Sequence, residues 1–172
     1  MIPSCPSLFS RSSPSSPMKT FPTLNDFAAQ AGQELGTSDW VTISQAQIQQ
    51  FADATGDHQW IHLEPERAVR ESPYKNTIAH GFLTLSLAPM LLATLYEIKS
   101  VKMGINYGAN KVRFTNAVPS GSQVRMKAWL NHVEPEHRGE ATGVRAIFEC
   151  VFEVGGQTKP ACIAELIVLL FE

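Results

Sequence analysis

Cysteine is scarce in this sequence of 172 residues, which contains only Cys5, Cys150 and Cys162 and no CxxC pair. Such few and widely spaced cysteines argue against a disulfide framework and against a structural zinc site. Cys150 and Cys162 lie within apolar runs, where a buried free thiol is the usual state. The cysteine usage therefore predicts a reducing, cytoplasmic setting.

Charge and long apolar runs are also scarce. Charged residues make up 17% of the chain, the formal net charge is −2, and the basic residues do not cluster, so no nucleic-acid partner is expected. The longest apolar run, residues 82–95, is interrupted by Thr84, Ser86, Pro89 and Thr94 and is too short to span a bilayer. The apolar fraction of 44% is that of an ordinary globular protein with one core.

The first twenty residues, MIPSCPSLFSRSSPSSPMKT, lack an apolar segment of signal-peptide length, so secretion is not expected. They are rich in Ser and Pro and contain only two charged residues, Arg11 and Lys19. This composition predicts a disordered tail over residues 1–20, followed by a single domain over residues 24–172. Met18 is a second candidate for the start of translation.

Turn residues and apolar periodicity divide the chain into short elements before residue 81 and longer elements after it. The predicted short elements are a helix from Leu24 that ends near Gly32 or Gly36, a strand over residues 39–44, a helix capped by Ser44 and stopped at Gly56, a loop over residues 57–64, and a helix with Pro65 in its first turn.

From Gly81 the sequence is apolar on nearly every side of a helix of about four turns that ends near Glu97. We expect such a helix to be buried by its surroundings. Strand-like runs follow, over residues 101–108, 111–116, 123–133, 142–154 and 159–170. One long buried helix followed by an antiparallel meander predicts an α+β fold in which the sheet wraps the helix.

The stretch TGDHQWIH, residues 55–62, combines Asp57 with two of the five histidines. A purely structural interpretation is a Gly-Asp turn with a half-buried His62. A second is a metal site with the ligands Asp57, His58, His62 and His80, but a spacing of four between histidines usually needs a helix, and no HExxH motif is present. A third is acid–base chemistry, in which a carboxylate and a neutral imidazole bind one water and move its proton.

A second stretch, TIAHGFLTLSL, supplies what such chemistry needs in addition. Gly81 is placed to open the apolar helix, where its N–H points out of the positive end of the helix and no Cβ obstructs a substrate. An amide in that position suits the stabilisation of an oxyanion formed on a thioester carbonyl. The two stretches together favour acid–base chemistry over the structural interpretation, and no metal is expected.

The residues FADATGDHQWIHLEPERA, 51–68, resemble the hydratase 2 motif of the (R)-specific enoyl-CoA hydratases, the MaoC-like dehydratases. TIAHGFLTLSLAPML and INYGANKVRFTNAVPSGSQVR are similar to the helix start and the following strands of that family, and the resemblance extends from Leu35 to the C-terminus. It implies a hot-dog fold, a long helix wrapped by an antiparallel sheet, usually paired into a dimer. It also implies a hydro-lyase of fatty acid metabolism that hydrates a trans-2-enoyl-CoA reversibly, with syn geometry, to the (R)-3-hydroxyacyl-CoA.

By this resemblance Asp57 and His62 are the catalytic pair, the amide of Gly81 is the oxyanion donor, and no cofactor is needed. Gln59-Trp60 stands where the family often has Asn-Pro, a variant similar to the nodulation protein N-like subgroup that bears on substrate choice. His58 is expected outside the chemistry because alternate residues of an extended loop face apart. His80 is expected to pack, or to bond to backbone, near the oxyanion donor.

Two alternatives stay open at this point. One is a hot-dog acyl-CoA thioesterase, which would direct water at the carbonyl carbon, and the other is an acyl-CoA-binding module whose chemistry has lapsed. For either, or for the hydratase, we expect a homodimer, since the terminal run AELIVLLFE is strongly apolar for a sheet with one wet face and an open edge invites pairing. The pairs Lys111/Arg113 and Arg125/Lys127 each share one strand face and are expected to be solvated rather than assigned to CoA.

Overall fold

The computed structural model describes residues 15–172. Within these residues the helices are α1 Leu24–Ala28, α2 Gln45–Thr55, α3 Trp60–Leu63, α4 Pro65–Glu71, α5 Gly81–Ser86 and α6 Ala88–Leu92. The strands are β1 Lys19–Phe21, β2 Gln33–Thr37, β3 Val41–Thr42, β4 Tyr96–Ile98, β5 Met103–Phe114, β6 Gln123–Arg138, β7 Ala141–Val154 and β8 Cys162–Phe171. None of these helices is long and apolar enough to cross a membrane.

A six-stranded antiparallel sheet forms the framework of the domain, with the order β2-β6-β7-β8-β5 and β3 beside β6. On β6 the side chains of Val124, Met126 and Ala128 are buried, and Arg125 and Lys127 between them lie on the opposite face. This alternation gives the sheet one apolar face, against which α6 and α5 pack at β6 and β8. The predicted α+β hot-dog class is confirmed.

The order of the strands differs from a simple meander. β5 pairs with β8 over its whole length, from Met103 opposite Phe171 to Phe114 opposite Cys162, and not with β6, which follows it in the chain. One edge of the sheet is therefore β5, and the apolar C-terminal strand β8 lies between β7 and β5. The predicted meander, in which the C-terminal strand would be outermost, is wrong in this respect, because pairing between distant segments decides which strand is outermost.

The predicted four-turn helix from Gly81 is interrupted. Pro89 has no N–H that could donate the helical hydrogen bond to the carbonyl of Leu85. Just before it, Leu87 N donates to Thr84 O at 3.3 Å, three residues back, which is a tighter turn than that of an α-helix. The chain therefore forms α5 and α6, leaves the helix after Leu92, and turns into β4. The single helix ending near Glu97 was thus predicted too long.

The helical segment is also buried on one side only. Leu83, Ala88 and Leu91 belong to the core, whereas Phe82 is 67% exposed and Met90 is 49% exposed. The prediction of burial on nearly every side is wrong for this chain, since the sheet covers one face of α5 and α6 and leaves the other uncovered.

Other local predictions have mixed outcomes. The helix between Ser44 and Gly56 is confirmed: Ser44 and Gln47 form a capping box, and Gly56 ends α2 in a left-handed conformation with φ +79°. The first helix ends already at Ala28, and Gly36 lies within β2, Gln33–Thr37. The predicted loop over residues 57–64 contains the single helical turn α3.

Part of the predicted tail is folded onto the domain. Ser16 N donates to Thr37 O at 2.8 Å. Lys19 and Thr20, which the composition assigned to the tail, lie instead in β1, which pairs in parallel with β4. Residues 1–14 lie outside the described part of the chain, as does Cys5.

Cys150 and Cys162 are free and buried, as expected. Burial raises the pKa of the Cys150 thiol to about 12 and that of Cys162 to about 11. Both are therefore unreactive core side chains at neutral pH.

Candidate active site

The end of α2, the single turn α3 and the start of α5 meet at one place. Asp57 follows Gly56, where the left-handed residue turns the chain out of α2, and His62 lies in α3. The carboxylate of Asp57 and ring nitrogens of His62 and His80 lie within 4.8 Å of one another. Asp57 and His62 are therefore adjacent in space, and a third side chain joins them.

His62 is held in one tautomer. Its side chain is buried, and its Nδ1 lies 2.7 Å from the carbonyl oxygen of Ile78. Because a carbonyl can only accept, Nδ1 carries the proton and Nε2 keeps a lone pair. Burial, followed by the neighbouring His80, lowers the pKa of His62 against the opposing effects of the Ile78 carbonyl and Asp57. His62 is thus neutral at neutral pH.

Asp57 is open to solvent, with 55% of its side chain exposed. Its Oδ1 accepts a hydrogen bond from Gln59 N at 3.4 Å, and its Oδ2 lies 3.8 Å from His80 Nε2. The Asp57 carboxylate also lies within 4.8 Å of a ring nitrogen of His62, and one water that bonds to two acceptors at about 2.8 Å each spans a separation of about that size. The Asp57 carboxylate and His62 are therefore close enough to share a single water molecule.

Gly81 is the first residue of α5, with His80 as the N-cap. Its N–H belongs to the first turn, where amides have no partner within the helix. A Cβ at this position would lie 2.7 Å from Cγ of Phe114, and the backbone does not have a positive φ. Close packing of Phe114, not a left-handed backbone, is therefore what requires glycine here.

Two cavities meet at His62 and Gly81. One, of about 230 Å³, is lined on its outer side by Asp57 and Phe82. The other, of about 260 Å³, extends towards Tyr74, Phe114, Thr115 and Asn116. His62 and Gly81 are therefore accessible from both cavities.

His58 lies apart from this cluster. Its Nε2 is 3.1 Å from Asp53 Oδ1 on the surface of α2, and its side chain is 53% exposed. The sequence placed His58 beside Asp57, but the turn after Gly56 directs the two side chains to different neighbours.

His80 was expected to pack, or to bond to backbone, near Gly81, and it does both: its ring stacks on His62 and its Nε2 donates to the carbonyl of Asp57. Two residues at the site received no role from the sequence, since Phe114 packs against Gly81 and Tyr74 lines the larger cavity. No spacing in the sequence links Phe114 to Gly81, because the position of Phe114 depends on the pairing of β5 with β8.

The same three side chains, Asp57, His62 and His80, are the group among residues 15–172 that lies close enough to hold a metal ion. Two ring nitrogens are already engaged with backbone carbonyls: His62 Nδ1 with Ile78, and His80 Nε2 with Asp57 at 2.9 Å. His80 Nδ1 is buried. A metal bound through His80 Nε2 would have to replace the bond to Asp57, so the donor set fits a metal poorly.

Comparison with known proteins places the chain among dehydratases. A family model described as "MaoC like domain" matches residues 26–147. The 3-hydroxyacyl-thioester dehydratase Z of Mycobacterium tuberculosis is 53% identical over 151 residues, which cover 88% of this chain and 97% of that protein. Nodulation protein N of Rhizobium leguminosarum bv. viciae is 44% identical over 149 residues, 86% of this chain and 91% of that protein.

Among solved structures, the (R)-hydratase of A. caviae involved in PHA biosynthesis superimposes with a TM-score of 0.61 at 22% identity, covering 80% of this chain and 94% of that one. At this identity the likeness concerns the fold, and it agrees with the sheet and helices described above.

Proposed function

The chain belongs to the MaoC-like dehydratase family, a family of hydro-lyases, and from that premise we propose that it hydrates trans-2-enoyl-CoA thioesters reversibly to (R)-3-hydroxyacyl-CoA. The observation that carries this proposal is the convergence of the Asp57 carboxylate, a neutral His62 with a free Nε2, and the first amide of α5 around one pair of cavities. The substrate partner is an acyl-CoA thioester, and no cofactor takes part.

The reaction needs one proton removed and one delivered. A water held between Asp57 and Nε2 of His62 attacks C3 of the enoyl group, and one of the two residues takes its proton. The pair then delivers that proton to C2, so the water supplies both the hydroxyl group at C3 and the hydrogen at C2, and Asp57 and His62 end in the protonation state in which they began. Both residues approach from one side, which gives syn addition.

The thioester carbonyl becomes an enolate-like oxyanion while C3 is attacked. The N–H of Gly81 donates to that oxygen from the positive end of α5. Dehydration runs through the same positions in reverse.

Incubation with crotonyl-CoA tests the proposal. Hydration lowers the enone absorbance and releases no thiol, and chiral analysis of the product identifies the (R)-alcohol. Release of free CoA, detected with a thiol reagent, would instead identify the thioesterase. Binding without either change would identify a lapsed acyl-CoA-binding module.

We also propose that the protein forms a homodimer. The edge strand β5 is exposed along almost its whole length, and Met103, Ile105 and Tyr107 are between 36% and 50% exposed. A long, partly apolar edge of this kind is a template for pairing with a second chain. Light scattering that reports a species of 18.9 kDa at micromolar concentration would contradict this.

A cytoplasmic location and a role in fatty acid metabolism are part of the same proposal. The buried free thiols Cys150 and Cys162 support a reducing compartment. Fractionation of cells that express the protein, followed by detection of its hydratase activity, tests the location.

A further inference from the structure

We propose that His80 is a positioning residue that fixes Asp57, His62 and the Gly81 amide relative to one another; this rests on the proposed hydration reaction. His80 lies immediately before Gly81 and is the N-cap of α5, although its side chain makes no cap hydrogen bond. The ring is 97% buried, with 3% of the residue exposed. The His80 side chain therefore contacts other residues of the domain and hardly any solvent.

The first contact ties down the loop that carries Asp57. Nε2–H of His80 donates to the backbone carbonyl of Asp57 at 2.9 Å, across a sequence separation of 23 residues. The hydrogen bonds within the loop are longer and local: His58 N to Gly56 O at 3.2 Å and Gln59 N to the Asp57 carboxylate at 3.4 Å. The bond from His80 thus connects the Asp57 loop directly to the start of α5.

The second contact is with His62. The two imidazole rings stack with centroids 3.7 Å apart and an interplanar angle of 26°, and Phe51 packs against His80 at a centroid distance of 5.0 Å. His62 is held at one ring edge by Ile78 and at one ring face by His80. Because His80 and Gly81 are neighbours in the chain, the His80 ring fixes the position of His62 relative to the N–H of Gly81.

A packing role alone does not account for histidine at this position. With Nε2 as the donor, Nδ1 is a buried acceptor, and it has no hydrogen-bond partner among residues 15–172. Leaving a buried acceptor unpaired costs free energy, whereas a Phe ring would fill similar space without that cost. The contribution that distinguishes histidine from Phe is therefore the bond to the carbonyl of Asp57.

Two substitutions separate the two contacts. His80→Phe keeps a ring stacked on His62 and removes the donor, whereas His80→Gln keeps an N–H donor and removes the ring. We expect kcat for crotonyl-CoA hydration to fall by ~10- to 100-fold in His80→Phe, with KM changed less than about threefold, because small misplacements of catalytic groups cost rates of this size. His80→Gln should retain more activity than His80→Phe. His58→Gln, in the same loop but bonded to Asp53, is the matched control and should match wild type.

A measurement that does not require turnover accompanies the kinetics. The ionisable groups next to His62 are Asp57 and His80, and burial together with the neighbouring His80 lowers the pKa of His62. In His80→Phe the NMR titration midpoint of His62 should therefore move up, while His58→Gln leaves it in place. The acid limb of the kcat/KM profile should move in the same direction.

The outcomes are separable. Wild-type kcat per folded molecule in both His80 variants, or an unmoved His62 midpoint in His80→Phe, would overturn the positioning role. A wild-type protein that shows no hydration would overturn the proposed function instead, and the NMR titration would still decide whether His80 acts on His62. Lower kcat together with a shifted midpoint, at melting temperatures near that of wild type, would support the proposal.

Discussion

Replacing Gly81 by alanine tests the oxyanion role, provided that its effect on stability is separated from its effect on the hydration rate. The added Cβ would lie 2.7 Å from Cγ of Phe114 and 2.9 Å from each of its Cδ atoms. An ordinary carbon contact is about 3.5–4.0 Å, so the ring must move by about 1 Å. Phe114 is 43% exposed and can move outward, which places the loss of stability near the lower end of the usual ~1–3 kcal/mol for overpacking.

The catalytic effect is expected to be larger. Because Gly81 does not have a positive φ, alanine adds no backbone strain and keeps the N–H. In the proposed reaction a thioester carbonyl must come within about 2.9 Å of that N–H, and we expect the added Cβ to hinder this approach. Loss of one oxyanion donor typically costs ~10²–10³ in rate, so we expect hydration by Gly81→Ala to fall by that order while most molecules stay folded.

The double variant Gly81→Ala/Phe114→Ala distinguishes the two effects. Removing the Phe114 ring relieves the contact, so the melting temperature should recover relative to Gly81→Ala. Hydration of crotonyl-CoA per folded molecule should stay ~10²-fold or more below that of Phe114→Ala alone, which is the control because Phe114 also lines the cavity. If the double variant regained the activity of Phe114→Ala, the loss would have come through the ring, and the oxyanion role would be refuted.

Three further predictions concern the same site. Asp57→Asn and His62→Gln should each fold and lower the hydration rate by ~10²-fold or more, and the double variant should lose much less activity than the product of the two single losses, since both residues act on one water. The hydration rate of His58→Ala should stay within a few-fold of wild type. If His58 proved essential and His62 did not, the assignment would be wrong. Because burial lowers the pKa of His62 from 6.5 and the neutral form is the base, kcat/KM should persist as the pH falls past 6.5 and decline only at lower pH; an acid limb above 6.5 would contradict this. EDTA should leave activity unchanged and elemental analysis should find no stoichiometric zinc, whereas loss of activity that zinc restores would indicate a metal site at Asp57, His62 and His80.

Several features of this protein follow from the sequence alone because they depend on neighbours a few residues away. Ser44 with Gln47 and Gly56 mark the two ends of α2, and both signals act within one turn of the helix. The alternation on β6 sets which face is apolar before any partner strand is known. The family motif, with Gly81 at a helix start, likewise singled out Asp57 and His62.

The interruption of the central helix also has a local cause, Pro89. The sequence did not reveal it because residues 82–95 are apolar on nearly every side of a helix, which favoured one continuous helix. The hydrophobic pattern shows which side chains can be buried, but the missing N–H of Pro89 decides where the helix is interrupted.

Other features were decided only by tertiary structure, since they join segments far apart in the chain. The pairing of β5 with β8 makes β5 one edge of the sheet, and it brings the Phe114 end of that strand to Gly81. The tautomer of His62 depends on the carbonyl of Ile78, and the role proposed for His80 depends on a bond to Asp57 across 23 residues. Local sequence patterns specify which groups are available, but the distances between such groups are set by packing of the sheet against α5 and α6, to which many distant residues contribute at once.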